Sequence, residues 1–298
     1  MNFIRKSAYI AALSAATVLS ASSMAAAVEL TFWHHTYPPA REFIEKKAAE
    51  FTAQHPDITI KLHDDPHADY EVKLLAASAA GNAPDIVNVL DYLFPQYAGR
   101  GILAEVDNAA FGVKDAVELE ALYQPQALSG LTINGKVYGV PEEFNTLALF
   151  INKAHFKEIG LDAEDEANWP KSWNDLLDVS AKLTKEDGSR LGFNWGWNLD
   201  PYWYAQQYWP ILQQYGCDVV DANGKATINS DACVKAFTET WQSLIDKKIG
   251  GPTMATVNPV NALQDFSEGR QSMAIAGIWA PPLFSDAVKE QYVVAPPP

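Results

Sequence analysis

The stretch VELTFWHHTYPPAREFIEKKAAEFTAQHPDITIKL, residues 28–62, decides the fold. Val28, Leu30 and Phe32 fall on one face of a strand spanning 28–33. Residues 40–54 follow as a helix, with Phe43, Ile44, Ala48 and Phe51 at helical spacing. Ile58, Ile60 and Leu62 then alternate in a second strand. This strand–helix–strand order predicts a parallel pair with a right-handed crossover.

Working outward, a second helix is predicted from about Asp69 to Ala80, with Gly81 placed to end it. Ile86 to Val89, after Pro84, are predicted to form a third, buried strand. The first 110 residues therefore read as an open α/β lobe. Asn134-Gly135, between Leu131-Thr132-Ile133 and Val137-Tyr138, signals a hairpin. Leu147 to Ile151 read as a strand, and Ser172 with Asp175 as a capping box for a helix through Leu183. An α/β finish follows, with helices near 231–247 and 258–268 and strands at 272–276 and 291–295. The change of character near Pro141 marks the expected boundary between two lobes.

Upstream, Arg5 and Lys6 precede an apolar, Ala-rich run from Ala8 to Ala21, and Ala25 and Ala27 stand just before Val28. This is the layout of a cleaved secretory signal peptide, residues 1–27. The run is shorter than the ~20 residues a membrane span needs. The exported part contains the only two cysteines, Cys217 and Cys233, which an oxidising compartment is expected to pair. The net charge of −15 argues against a nucleic-acid partner.

Aromatic residues make up an ordinary 11% of the chain but crowd one segment: Trp195, Trp197, Tyr202, Trp203, Tyr204, Tyr208, Trp209 and Tyr215. An indole is a flat apolar plate with a donor at its edge, which matches the C–H face of a pyranose. Trp195 and Trp197, flanking Gly196, are the expected ligand contacts; Trp203, Tyr208 and Trp209 are the alternative core members. Sugar hydroxyls also need carboxylates or amides. In open α/β sheets these collect beyond the carboxyl ends of strands. That selects His34, His35, Thr36 and Tyr37 after the first strand, Asp91 and Tyr92 after the third, and Glu142, Glu143 and Asn145 after the hairpin. His34, His35, His55, His63 and His67 raise a metal site as an alternative, but Pro66 separates His63 from His67 and no cofactor or metal is expected. The chain shows no nucleophile elbow, no HExxH and no glycine-rich phosphate loop.

These residues carry a resemblance to extracellular solute-binding protein family 1, the carbohydrate-binding proteins of ABC importers that include maltose- and glycerol-3-phosphate-binding proteins. The matching segments run in order: LTFWHH (30–35), YEVKLLAASAAGNAPDIVNV (70–89), GRGILAEVD (99–107) and NGKVYGVP (134–141). LFINKAHFKEIGLD (149–162), WPKSWNDLLDVSAKLTK (169–185) and FSEGRQSMAIAGIWA (266–280) continue the set. The resemblance implies a periplasmic-binding-protein-like α/β fold: two lobes, hinge strands and an interlobe ligand cleft. It implies lobes at 28–140 and 141–292, with 293–298 starting a crossover back to a first lobe whose remainder is missing from this sequence. Carried over position by position, it implies ligand contacts from Tyr70, Asp91, Asn145, Gly277 and Trp279.

The expectation is thus a periplasmic, monomeric, non-catalytic protein that binds a mono- or oligosaccharide and delivers it to a membrane permease. Its contacts would be His35, Tyr37, Tyr70, Asp91, Glu143, Asn145, Trp195, Trp197, Gly277 and Trp279. The alternatives are a secreted glycan-active enzyme using Glu142 or Glu143, or a binding protein for a glycerol-phosphate-type ligand or a metal.

Overall fold

The computed structural model describes residues 28–194, 204–247, 249 and 259–298. The expected signal peptide lies outside them, as do Trp195, Trp197, Tyr202 and Trp203. Contacts divide the chain into two compact units, broken after Asn88.

In the first unit, β1 (Val28–His35), α1 (Pro38–Gln54), β2 (Ile58–Asp65), α2 (His67–Ala79) and β3 (Ile86–Val87) build a parallel sheet of order β2-β1-β3. Pro38 and Pro39 open α1, where a missing N–H costs nothing and a fixed φ helps. Pro56 follows its end. Gly81, at φ 74°, terminates α2, with Asn82 N–H donating back to Ala77 O at 2.9 Å.

Two strand expectations need correction here. β1 runs two residues further than its apolar alternation, so His34 and His35 lie within the strand, paired with Asp64 and Asp65. Backbone pairing with the long β2 carries it on after the side-chain pattern has ended. Helix α1 buries only Ile44, while Phe43 is 57% exposed and Phe51 38%. Correct helical periodicity therefore does not ensure a covered face. The third strand is two residues long, lies at the sheet edge, and leaves Ile86 exposed instead of buried.

The second unit opens with α3 (Phe94–Gly99), α4 (Ala116–Glu120) and the predicted hairpin, β4 (Thr132–Ile133) with β5 (Lys136–Val137). Asn134 and Gly135 have φ of 53° and 78°, the pattern of a type I′ turn. This stretch keeps a small core of its own, Leu119, Leu128 and Val137, separate from that of the sheet beyond Pro141. The contact break after Asn88 and the sequence boundary near Pro141 thus mark different features of the chain.

Beyond Pro141, β6 (Leu147–Asn152) is central in an antiparallel sheet, flanked by β7 (Met273–Gly277) and β8 (Tyr292–Ala295). Side chains alternate across the sheet. Leu149, Ile151, Met273 and Ile275 join a core with Phe156, Leu176, Leu177, Leu183 and Leu212. Phe150, Ala274 and Ala276 face the other way, toward Phe266 and Phe284. Both faces of β6 and β7 are covered, which is why these two strands read as unbroken apolar runs, whereas β8 leaves Val294 exposed. Helix α5 (Lys153–Glu158) is capped by Asn152, and α6 (Trp173–Leu183) by Ser172, whose Oγ accepts from Asp175 N–H at 3.2 Å. The predicted 231–247 helix forms as Asp231–Asp246, with a π-helical section at Thr238–Gln242.

Cys217 and Cys233 form a disulfide inside the main core, both fully buried. Tyr208 takes the alternative core role, its ring stacked on Trp241 at 4.4 Å, whereas Trp209 is 36% exposed and is not a core residue. A new helical segment starts at Trp209, with Pro210 in its first turn. Among the described residues, no helix is long and apolar enough to cross a membrane.

Candidate ligand site

On the first unit the carboxyl ends of β1, β2 and β3 gather His34, His35 and Tyr37 from the residues that the strand-end rule selects. His35 ends β1 half-buried. Its Nδ1 lies 2.8 Å from Asn88 Oδ1, where the ring N–H donates to the amide oxygen. The neighbouring His34 is 4% exposed and stacks its ring on His35 at 4.7 Å. Tyr37 is half-buried at the start of α1.

Tyr70 is 2% exposed. Its hydroxyl hydrogen lies between two backbone acceptors, Trp33 O at 2.9 Å and Asn88 O at 2.7 Å. Asn88 did not emerge from the sequence as a site residue, although a polar residue inside the apolar run IVNV was a signal for it.

The acids at this sheet end are already engaged. Asp64 pairs with Arg41 at 2.8 Å. Asp65, 4% exposed, bonds to Lys73 and to His63 at 2.9 Å. Burial works to raise the Asp65 carboxyl, but the bonds from Lys73 and His63 outweigh it and hold it below the usual range. Among the described residues, no group of three or more His, Cys, Asp or Glu is arranged to hold a metal. An open groove of about 680 Å³ lies on another part of this unit, against α1 and β2, lined by Arg41, Glu45, Thr52, Pro56 and Leu62. It lacks the strand-end groups.

On the second unit, Leu147 pairs with Gly277, so the start of β6 and the end of β7 share one edge of the sheet. Asn145 precedes that pair and Trp279 follows it. A Cβ built on Gly277 would stand 2.3 Å from Asn145 Oδ1 and 2.4 Å from Trp279 Nε1. Only glycine lets an amide and an indole converge this closely on a strand end. Asn145 Oδ1 accepts from Ile278 N–H at 3.3 Å, which ties the two segments together. Asn145 is exposed and Trp279 half-buried.

Asp91 is exposed at the start of a short 3₁₀ turn and accepts from its neighbour Tyr92 N–H at 2.8 Å. Glu143 is exposed. The structure thus groups Asn145, Gly277 and Trp279 on the second unit, and His35 with Tyr70 on the first, while Trp195 and Trp197 fall outside the described residues.

The family of bacterial extracellular solute-binding proteins matches this chain over residues 37–298. The lactose-binding protein of Rhizobium radiobacter is 27% identical over 276 residues, covering 90% of this chain and 60% of that protein. The GacH receptor of Streptomyces glaucescens, solved unliganded and with acarbose, is similar at 27% identity and a TM-score of 0.74. That match covers 91% of this chain and 67% of the receptor. An ABC substrate-binding protein of Listeria monocytogenes, solved in complex with cycloalternan, is similar at 25% identity and a TM-score of 0.71, over 87% of this chain and 64% of its own. The chain spans about three fifths of the length of the sequence relatives it matches (60% and 62%). From its α/β units and the family match over most of its length, the chain belongs to the bacterial extracellular solute-binding protein family.

Proposed function

We propose that this protein is the substrate-binding component of an ABC importer for a mono- or oligosaccharide. The convergence of Asn145 and Trp279 on Gly277 supports this reading most strongly. The half-buried indole offers an apolar plate, and the amide offers both a donor and an acceptor. A sugar presents an apolar ring face beside a rim of hydroxyls and needs both kinds of group together. His35 and Tyr37 on the first unit, and Asp91 and Glu143 on the second, add further acceptors and donors. Trp195 and Trp197 are assigned to stacking.

In the same reading residues 1–27 direct export and are removed, the mature protein works as a periplasmic monomer without catalysis, and a membrane permease receives its ligand. Calorimetry against a panel of mono- and oligosaccharides, with glycerol 3-phosphate included, tests this. Binding of no carbohydrate would sink it, and binding of glycerol 3-phosphate alone would replace it. Turnover of a chromogenic glycoside would overturn the non-catalytic assignment.

A further inference from the structure

β3 is two residues long, pairing only Phe32 with Ile86 and Trp33 with Val87. A ladder this short cannot by itself fix the residues that leave it. Both of its ends are pinned from outside. At the amino end, Thr31 N–H and Oγ each donate to Asp85 Oδ2 at 2.8 Å. At the carboxyl end, Asn88 N–H donates to Trp33 O at 2.9 Å, and the Tyr70 hydroxyl sits against both Trp33 O and Asn88 O. Tyr70 comes from α2, so one buried phenol links a helix to the two strand ends. Asn88 then holds the His35 ring through Oδ1, and the His35 and Tyr70 rings meet edge-on at 6.3 Å.

We propose that Tyr70 is a positioning residue: its hydroxyl sets the Asn88 backbone and, through the Asn88 side chain, the orientation of His35, without touching ligand. A ring at 2% exposure with its hydroxyl engaged by two carbonyls has little surface left for a sugar. The role assumes that His35 faces ligand, and so rests on the carbohydrate-binding reading above.

The test uses Tyr70→Phe in the full chain, followed first without ligand by NMR of the histidine rings. The His35 ring signals should move, while those of His155 stay in place. Asn88→Ala, which keeps the Tyr70 clamp and removes the amide, should move the same signals and guards against a folding defect in the first variant. Calorimetry should then show every bound sugar weakened by a similar factor of about five to ten, the size of one displaced hydrogen bond, with their order unchanged. An unmoved His35 signal in Tyr70→Phe overturns the proposal. A selective loss for some sugars also overturns it, because that is the behaviour of a direct contact. If the wild type binds no sugar, the functional reading fails while the NMR result still decides the role of Tyr70.

Discussion

Gly277→Ala is the sharpest test of the site on the second unit. The added methyl would stand 2.3 Å from Asn145 Oδ1, 2.8 Å from Asn145 Nδ2 and 2.4 Å from Trp279 Nε1. Carbon–heteroatom contacts settle at about 3.5 Å, so the amide and the indole must each retreat by about 1 Å. Both obstacles are side-chain atoms, and Gly277 is not at positive φ. The strand can therefore stay in place, and the stability loss should sit near 1 kcal/mol, the low end for overpacking. Binding should suffer more. The Asn145–Ile278 bond breaks and both ligand groups are displaced, together about 2–3 kcal/mol, or about 30- to 150-fold in affinity. Gly192→Ala supplies the contrast, because there the methyl would meet the Ser180 backbone, with O at 2.1 Å and Cα at 2.4 Å. Helix α6 would have to shift, so this variant should lose about 3 kcal/mol or more of stability. Thermal unfolding with calorimetry on both variants separates the two effects. Wild-type sugar affinity in Gly277→Ala would refute the assignment of Asn145 and Trp279 to ligand.

Acid should destabilise the second unit in two overlapping steps. Burial first, and then Arg190, depress His155 from 6.5 to about 4, so its contribution is complete above pH 6.5 and lost as pH falls through 4. Arg190 first, and then Lys185, hold Glu158 at about 2 instead of 4.5, so its contribution is present above pH 4.5 and lost as pH falls through 2. In a Tm-against-pH series, His155→Gln should flatten the upper step and Glu158→Gln the lower; unchanged profiles would contradict these environments. Reducing Cys217–Cys233, which are 16 positions apart, should cost about 3 kcal/mol in the chain-entropy model, read as a lower Tm in dithiothreitol. Ser172→Ala should cost about 1 kcal/mol through loss of the α6 cap, measured by urea unfolding.

Much of the first unit was legible because its signals are local. Alternation marked β1 and β2, Gly81 marked the end of α2, and the intervening helix forced a parallel pairing. Phe43 and Phe51 show the limit: periodicity names a face but not what lies against it. The same limit applies to Tyr70, whose identity said nothing about whether its hydroxyl met a sugar or two carbonyls. Trp209 was indistinguishable from its buried neighbour Tyr208 until the helix direction was known.

The sequence by itself determined the α/β class, most element positions and the hairpin turn, because spacing and turn chemistry act over short distances. Only the tertiary structure decided the strand order β7-β6-β8, the clamp of Tyr70 on β1 and β3, and the meeting of Asn145 with Gly277 and Trp279. Asn145 and Gly277 are far apart along the chain and come together because β6 pairs antiparallel with β7, a register that packing on both faces of the sheet selects and no local pattern encodes.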